Sequence, residues 1–179
     1  ATDHDGEALF ANVPAGTYTV KEIAPPPGCK LNGDILSVTV SRTDAGKSYE
    51  LNPANPVKNE QNSFTVSKTD LGGNALAGAE FKLEGTFADG STTPLTWTSA
   101  TAPETISGKL VAGGEYTLTE TKAPEHYVIA AQPCKLKMDE FGALSLRTSG
   151  ASTWTPVADN AVTMENDPVR GHVVLAKSI

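Results

Sequence analysis

The sequence repeats itself at a distance of about 100 residues, so its fold has to accommodate the same unit more than once. The segment VPAGTYTVKEIAPPPG (residues 13–28) returns as VAGGEYTLTETKAPEH (residues 111–126), which matches Glu22 to Glu120. Repetition of this kind is typical of tandem domains that each fold around their own core. The chain is therefore predicted to be a tandem array.

A second pair of similar segments fixes the phase of the array. PVKNEQNSFTVSK (residues 56–68) corresponds to TMENDPVRGHVVLAK (residues 163–177), which matches Asn59 to Asn166 and Lys68 to Lys177. The predicted organisation is the later part of an incomplete repeat at 1–62, a complete repeat at 63–169, and a tail at 170–179 that resembles the first strand of a further repeat.

Each repeat carries the pattern of short β-strands. Runs rich in Val, Thr, Tyr and Phe alternate with Gly, Pro, Asp and Asn clusters, and no amphipathic helix of about 12 residues can be drawn. This pattern predicts an all-β protein made of tandem immunoglobulin-like β-sandwiches, the first of them incomplete. The predicted strands are 18–22 and 35–41 in the first repeat and 64–68, 80–84, 115–121, 134–138, 143–147 and 161–166 in the second.

Three of the predicted strands place a polar residue on the face that should be buried. Alternate side chains of a strand share a face, and the apolar parity of strands 64–68, 115–121 and 161–166 includes Lys68, Glu120 and Asn166. An unpaired buried charge costs several kcal/mol, so the recurrence needs an explanation. Parity alone leaves two open: each side chain reaches solvent from a strand end, or the three meet in one interior and react.

These residue types suit the formation of an amide bond between side chains. Burial lowers the pKa of a lysine and exposes a nucleophilic amine, while it raises the pKa of a glutamate and keeps the acid protonated. A protonated Glu can hydrogen-bond the Asn carboxamide and carry a proton to the departing ammonia. Fixed contact supplies the effective concentration that an unreactive amide needs. The product would be a Lys–Asn isopeptide bond.

Charge and composition argue against several other classes of protein. The net charge is −7 and no Lys or Arg run is present, so nucleic acid is not an expected partner. No stretch of about 18 apolar residues and no signal-peptide pattern occurs, so neither a membrane span nor a leader is expected. His4, His126 and His172 stand far apart without neighbouring ligands, so no metal or other cofactor is expected.

Three segments of the chain resemble those of a known family. FTVSKTDLGGNALAGAEFKL, YTLTETKAPEHY and VTMENDP are similar to the first strand, the glutamate-bearing strand and the last strand of the B-type repeats of Gram-positive collagen adhesins, also called SpaA-type pilin domains. The resemblance implies a prealbumin-like sandwich in which Lys68 bonds to Asn166 and Glu120 catalyses the reaction. It further implies an extracellular, cell-wall-attached stalk or shaft module, crosslinked once without turnover, whose partners are other repeats or pilin subunits.

The incomplete repeat departs from the family pattern. Its equivalents Glu22 and Asn59 have no lysine-bearing first strand within the sequence. Either that strand lies upstream of Ala1 or in a separate chain, or Lys177 of a neighbouring molecule supplies it by strand addition. The chain also carries Pro-Pro-Gly-Cys and Pro-Glu-His-Tyr where the family usually has Pro-x-Gly-Tyr.

Specific residues bear on two other functions. Trp97 and Trp154 are candidates for an adhesin module that binds host matrix or glycan through loops at the sandwich end, although the Thr/Ser-rich alternating runs around them favour packing in the core. Asp3 and Asp5 precede Gly6 as in a calcium loop or a carboxylate pair, but the closing acidic residue is missing, so an enzyme is not expected. Whether Cys29 and Cys134 pair is open.

Overall fold

In a computed structural model of the chain, the structure describes residues 8–43, 46–47, 49, 57–129 and 132–177. They divide into two compact units, one of Ala1–Ile23 with Asn32–Lys58 and one of Ala24–Leu31 with Asn59–Ile179. Regular structure in the described ranges is β throughout, apart from one 3₁₀ turn at Ala158–Asn160. The predicted all-β class is confirmed, whereas the predicted boundaries at residues 62 and 169 stay a prediction.

The first unit contains one antiparallel pair of strands, β1 (Gly16–Lys21) and β2 (Ile35–Val40). They lie within two residues of the predicted strands 18–22 and 35–41. Tyr18 pairs with Val38, and both belong to the half-buried face of the pair, while the alternate residues are exposed. The Tyr18 hydroxyl donates a hydrogen bond to the Pro14 carbonyl at 2.8 Å. This sheet therefore has the one-sided character that the alternating sequence predicts.

The second unit is built from two sheets. Their strands are β3 (Ser63–Asp70), β4 (Glu80–Glu84), β5 (Leu95–Thr98), β6 (Glu104–Ser107), β7 (Glu115–Lys122), β8 (Tyr127–Val128), β9 (Cys134–Met138), β10 (Leu144–Arg147), β11 (Thr155–Pro156) and β12 (Ala161–Pro168). One sheet has the order β11-β10-β9-β7-β4-β5 and the other the order β6-β3-β12-β8. All six strands predicted for this repeat are present, and β5, β6, β8 and β11 are additional.

The core lies between the inward faces of the two sheets. Burial alternates strictly along β3, β7 and β12, as the sequence parity predicts. Each strand contributes large apolar side chains to one contiguous cluster, and Leu95, Trp97, Leu146 and Val157 pack against its edge. The buried residues of the cluster are Phe64, Val66, Ala79, Phe81, Leu83, Phe87, Ile106, Leu110, Tyr116, Leu118, Cys134, Leu136, Met138, Leu144, Val162 and Met164.

The first and last long strands of the second unit are parallel neighbours. β3 pairs with β12 over six residue pairs, with Lys68 opposite Met164 and Asp70 opposite Asn166. Parallel neighbours are separated by a long crossover in sequence, which here is almost the whole domain. The C-terminal ends of the two strands consequently meet at the same edge of the sheet.

Asn160 ties the beginning of β3 to the opposite sheet. Its side-chain oxygen accepts from the Leu144 amide at 2.8 Å, and its side-chain nitrogen donates to the carbonyls of Ser63 at 3.0 Å and Gly142 at 2.7 Å. The residue has φ +53°, a left-handed conformation that Asn adopts more readily than most residues. One side chain therefore satisfies three backbone groups next to the start of β12.

Candidate functional site

Lys68, Glu120 and Asn166 are buried in the second unit. Their exposed fractions are 3%, 4% and 0%, and the only other polar residue buried to this degree among the described residues is Asn62. Each occupies the parity of the apolar residues that precede it in β3, β7 and β12. The alternation of side chains along the three strands alone therefore places an amino group, a carboxyl group and a carboxamide in an apolar interior.

The topology brings the three side chains to one place. Lys68 and Asn166 lie on the same face of neighbouring strands, diagonal to each other because Lys68 pairs with Met164 and Asn166 with Asp70. Glu120 comes from the opposite sheet, and its Oε1 accepts a hydrogen bond of 2.6 Å from Asn166 Nδ2. The Glu120 Oε2 atom is buried and has no hydrogen-bond partner in the described part of the chain.

Two backbone carbonyls hold the lysine amine. Lys68 Nζ donates to the carbonyl of Met164 at 3.0 Å and to that of Thr69 at 3.1 Å. Met164 is two residues before Asn166 on β12, so this contact anchors the amine beside the strand that carries the amide. Backbone carbonyls accept from a neutral amine as well as from an ammonium group, and the arrangement therefore does not require a charge on Lys68.

Burial acts on the two ionisable groups in opposite directions. Desolvation lowers the pKa of Lys68, and the negative charges of Glu120, Glu165 and Asp70 only partly oppose this effect. Desolvation raises the pKa of Glu120, against smaller opposing contributions from the Asn166 hydrogen bond and from Lys68. Both shifts favour the uncharged forms, an amine with a free lone pair and a protonated acid.

This arrangement has the parts needed for acyl transfer between side chains. The amine is a nucleophile, the Asn166 amide is an electrophile with ammonia as its leaving group, and Glu120 is in direct contact with that amide. If the amide turns by 180° about its terminal bond, the protonated carboxyl donates to Asn166 Oδ1 and polarises it. A dry setting with preorganised donors is where such polarisation is most effective.

The equivalent residues of the first repeat are placed differently. Glu22 lies in the first unit, half-buried, and its Oε2 accepts from the Asn32 amide at 2.6 Å. Asn59 lies in the second unit, where its side chain donates to the Lys30 carbonyl at 2.9 Å. Lys177 is exposed in the tail. Their predicted role as a second set of bond-forming residues stays a prediction.

Both tryptophans are half-buried and have aromatic or cationic neighbours within the chain. Trp97 stacks on Phe81 with ring centroids 5.3 Å apart, next to the core. Trp154 lies under the guanidinium of Arg147, whose Cζ is 4.6 Å from the ring centroid. Such contacts are those of packing residues. Neither side chain therefore favours the binding-module alternative.

The remaining candidates contribute little to a site. Cys29 and Cys134 are free thiols, and burial raises the pKa of Cys134 to about 11. Asp3, Asp5 and His4 fall outside the described residues. Within the described ranges, no group of three or more His, Cys, Asp or Glu side chains could hold a metal ion, and no helix has the length and apolar character to cross a membrane.

Sequence reasoning did not anticipate the carbonyls of Met164 and Thr69 that receive the amine. Backbone acceptors leave no residue-type signal, and only the pairing register of β3 with β12 identifies them. Asn62 was missed as well: it is buried, and its side-chain nitrogen donates to the Leu110 carbonyl at 2.6 Å. A polar residue directly before a strand of alternating apolar residues was the available signal.

The two facing sheets, with parallel first and last strands around a buried polar trio, define the class of prealbumin-like β-sandwich domains. The family model described as the SpaA prealbumin-like fold domain matches residues 1–55 and 62–150. The chain belongs to this family. The two matched segments correspond to most of each predicted repeat and include Lys68 and Glu120, while Asn166 lies beyond the second segment.

Solved structures with a similar fold include pilus proteins. The C-terminal fragment of pilus adhesin SpaC from Lactobacillus rhamnosus GG is 21% identical, with a TM-score of 0.53, over 90% of this chain and 80% of that fragment. The open conformation of SpaC gives 19% identity and a TM-score of 0.53, over 90% of this chain and 26% of the SpaC chain. These identities establish similarity of fold alone.

BcpA, the major pilin subunit of Bacillus cereus, is 24% identical over 59% of this chain and 28% of its own. Its TM-score of 0.38 is too low to support a conclusion. No curated protein matches the chain.

Proposed function

We propose that this chain is a stalk or shaft module of a Gram-positive pilin or surface adhesin, stabilised by an isopeptide bond between Lys68 and Asn166 that forms without another enzyme. One observation supports it above all: an amine, a carboxylic acid and a carboxamide from three strands are buried together beside the apolar core. An ordinary ion pair between Lys68 and Glu120 would not account for this burial. Ion pairs contribute little to stability at the surface, and burying one costs desolvation energy.

The proposed reaction balances with ammonia as the only by-product. The neutral Lys68 Nζ attacks Asn166 Cγ and forms a new carbon–nitrogen bond. Glu120 transfers one proton from the attacking nitrogen to the departing Nδ2, so the bond between Cγ and Nδ2 breaks and ammonia leaves. Glu120 ends the reaction protonated as it began, and the secondary amide product is uncharged. The reaction runs once per domain, so the chain is not an enzyme with turnover.

The position of the bond suits a load-bearing module. Lys68 is near the end of β3 and Asn166 near the end of β12, the strands by which the chain enters and leaves the second sandwich. The bond would close a loop of about 100 residues, for which the chain-entropy estimate of a crosslink is roughly 4.7 kcal/mol. Tension along the chain would pass from β3 to β12 through the bond without loading the rest of the domain.

Intact mass under denaturing conditions tests the bond. The complete chain should weigh less than its sequence by one ammonia, and Lys68→Met and Glu120→Gln should restore the full mass. Lys82→Met is the matched control, because Lys82 is a partly exposed lysine that pairs with Glu84 at 3.1 Å and should leave the deficit unchanged.

The Lys68→Met variant also separates the bond from the one side reaction with the same mass change. Cyclisation of an Asn onto its own backbone releases ammonia without needing a lysine. A deficit that persists in Lys68→Met, or a wild-type chain of full mass, would overturn the proposal. A proteolytic peptide that joins the segments around Lys68 and Asn166 would identify the bond directly.

The tandem organisation extends the proposal to the rest of the chain. Residues 1–62 and 63–169 would be successive repeats, with the tail 170–179 opening a further one, in an extracellular assembly attached to the cell wall. Other repeats or pilin subunits would be the partners. This part is supported by the family match to both segments of the chain and by the repeat of Asn59 as Asn166 and of Lys68 as Lys177.

Strand addition by a neighbouring molecule can be tested separately. If Lys177 of one molecule bonds to Asn59 of another, covalent multimers form in the wild-type chain and are absent from a Lys177→Ala variant. Multimers that persist without Lys177 would rule this route out. A monomeric wild-type chain would also rule it out, and would leave the proposal for Lys68 and Asn166 unaffected.

A further inference from the structure

The chain builds one kind of turn twice, at equivalent positions of the two repeats. In the first, the Cys29 amide donates to the Pro26 carbonyl at 3.0 Å, and in the second the Tyr127 amide donates to the Pro124 carbonyl at 3.1 Å. We call Ala24–Leu31 the first end turn and residues 122–129 the second end turn. Each comes shortly after one of the matched glutamates, Glu22 or Glu120.

Both end turns are closed in the same way by the segment that follows an asparagine. Gly28 has φ +82° and its carbonyl accepts from the Asn62 amide at 2.9 Å. His126 has φ +69° and its carbonyl accepts from the Val169 amide at 2.8 Å. The turns are therefore the same structural element, and their contacts can be compared position by position.

The first end turn is seated on loops of the second sandwich, with which it forms one compact unit. The Leu31 amide donates to the Glu140 carbonyl at 2.7 Å. A Cβ atom added at Gly142 would lie 2.6 Å from Cγ of Lys30, so the Lys30 stem lies directly on that glycine. The loop between β9 and β10 thus receives the end of the turn.

A second close approach involves two glycines. A Cβ atom on Gly28 would lie 2.4 Å from the carbonyl oxygen of Gly108, in the loop after β6. The Gly108 amide donates to the Asn62 carbonyl at 2.8 Å. This end of the sandwich, formed by the loops that contain Gly108 and Gly142, is here called the receiving end.

At the second end turn and the segment that closes it, apolar side chains occupy the positions equivalent to those that make contacts at the first end turn. Val128, Ile129 and Val169 stand where the repeat places Lys30, Leu31 and Asn62, and they are 47%, 46% and 61% exposed. Val128 pairs with Asp167, and Val169 follows directly on β12, so the three exposed residues lie at one end of the sandwich, and we call them the apolar patch. Clustered exposed apolar residues of this kind mark interaction surfaces.

We infer that this patch is the docking surface for the receiving end of a further repeat of the same family, the one that the tail 170–177 would begin. The inference rests on the tandem organisation in the proposed function, but not on the isopeptide bond. The same chain shows an equivalent turn seated on an equivalent sandwich end, and the polypeptide leaves the second sandwich at the patch itself.

The contact at the second end turn has to differ in distance from the contact at the first. His126 replaces Gly28, and a Cβ at that position would meet the Gly108 carbonyl in the contact that the first end turn makes. The connection from Asn166 to Lys177 is also two residues longer than that from Asn59 to Lys68. The further repeat therefore docks at a slightly greater distance, through apolar contacts of Val128, Ile129 and Val169 rather than through a glycine-to-carbonyl approach.

Hydrogen exchange on an extended chain tests the inference. Residues 1–177 are followed by a second copy of residues 69–169, so that the tail supplies the first strand of the added repeat. The amides of residues 127–129 of the original copy should exchange about tenfold more slowly than in the original chain, since docking adds burial to a local opening, while those of the added copy should keep the original rate. Ile129→Asp in the original copy should abolish this protection, whereas Ile35→Asp, at an exposed apolar position of the first unit, should not.

Equal exchange of residues 127–129 in the two chains, with the core amides of the added repeat protected, would overturn the inference. Protection that survives Ile129→Asp would overturn it as well. If the hybrid first strand fails to fold, residues 1–169 followed by a complete second copy of residues 63–169 provide the same test. The mass deficit reports on the bond and hydrogen exchange on docking, so the two proposals fail independently.

Discussion

Stretching single molecules distinguishes a covalently tied second sandwich from one held by hydrogen bonds alone. β3 begins at Ser63 and β12 ends at Pro168, and the two strands are parallel neighbours. A pull on the two chain ends therefore shears these strands past each other. In the wild-type chain the proposed bond stops this movement, and in Lys68→Met nothing covalent opposes it.

The size of the difference follows from the chain length enclosed by the bond. Residues 69–165 lie between the two bonded positions, and about 100 residues at 3.3–3.6 Å each extend to roughly 33–36 nm. Lys68→Met should show an additional unfolding step of that contour length, which the wild-type chain lacks at any force below covalent rupture. Extension of the first unit should be the same in both.

Force spectroscopy with handles at both termini measures this step directly. Glu120→Gln should behave as Lys68→Met does, because the amine and amide remain but the proton carrier is gone. Lys82→Met should behave as wild type. A wild-type chain that releases the same roughly 33 nm step as Lys68→Met would refute the reasoning, since the enclosed residues would then lie in the path of the force.

Two further predictions concern stability. In Lys68→Met no bond can form, and burial keeps the pKa of Glu120 above its ordinary value of 4.5. Between these two pKa values the folded state holds a proton that the unfolded state has released. The urea midpoint should therefore fall as pH rises from 4.5 through the raised pKa. The double variant Lys68→Met/Glu120→Gln should lose this dependence, and identical pH profiles of the two would contradict the assignment. Asn160→Gly keeps the left-handed backbone but removes three hydrogen bonds to backbone groups. Calorimetry should show that the free energy of unfolding falls by about 1–3 kcal/mol. An unchanged melting temperature would contradict the role given to Asn160.

The inward rows of the sandwich could be predicted because strand parity is a local property. Phe64 and Val66 determine which face of β3 is buried, and Lys68 follows from them without knowledge of any partner strand. The same holds for Glu120 and Asn166. Burial of all three was therefore accessible from the sequence before any contact between them was known.

The contacts within the site depend on pairing between distant segments. Whether Lys68 is diagonal to Asn166 depends on the parallel register of β3 with β12, and a slip of one residue would turn one side chain away. The missed strands have a different cause: β8 and β11 contain two residues each, too few for an alternating pattern. Placement of Ala24–Leu31 with the second sandwich comes from tertiary contacts that the repeat pattern does not encode.

Burial and reactivity of the polar trio have a common physical origin. An ammonium group and a carboxylate in this core would both lack water, and burying the two charges would oppose folding. Transfer of one proton from Lys68 to Glu120 removes both charges without any exchange with solvent, in the direction that both pKa shifts favour. The same transfer creates the nucleophilic amine and the acid that the proposed reaction needs. Because these groups meet only when β3, β7 and β12 are assembled, folding has to precede the bond, and the unreacted domain has to be stable enough to hold the uncharged trio in place. The bond would then convert the amine permanently into an uncharged amide, so reversal of the proton transfer could no longer destabilise the fold.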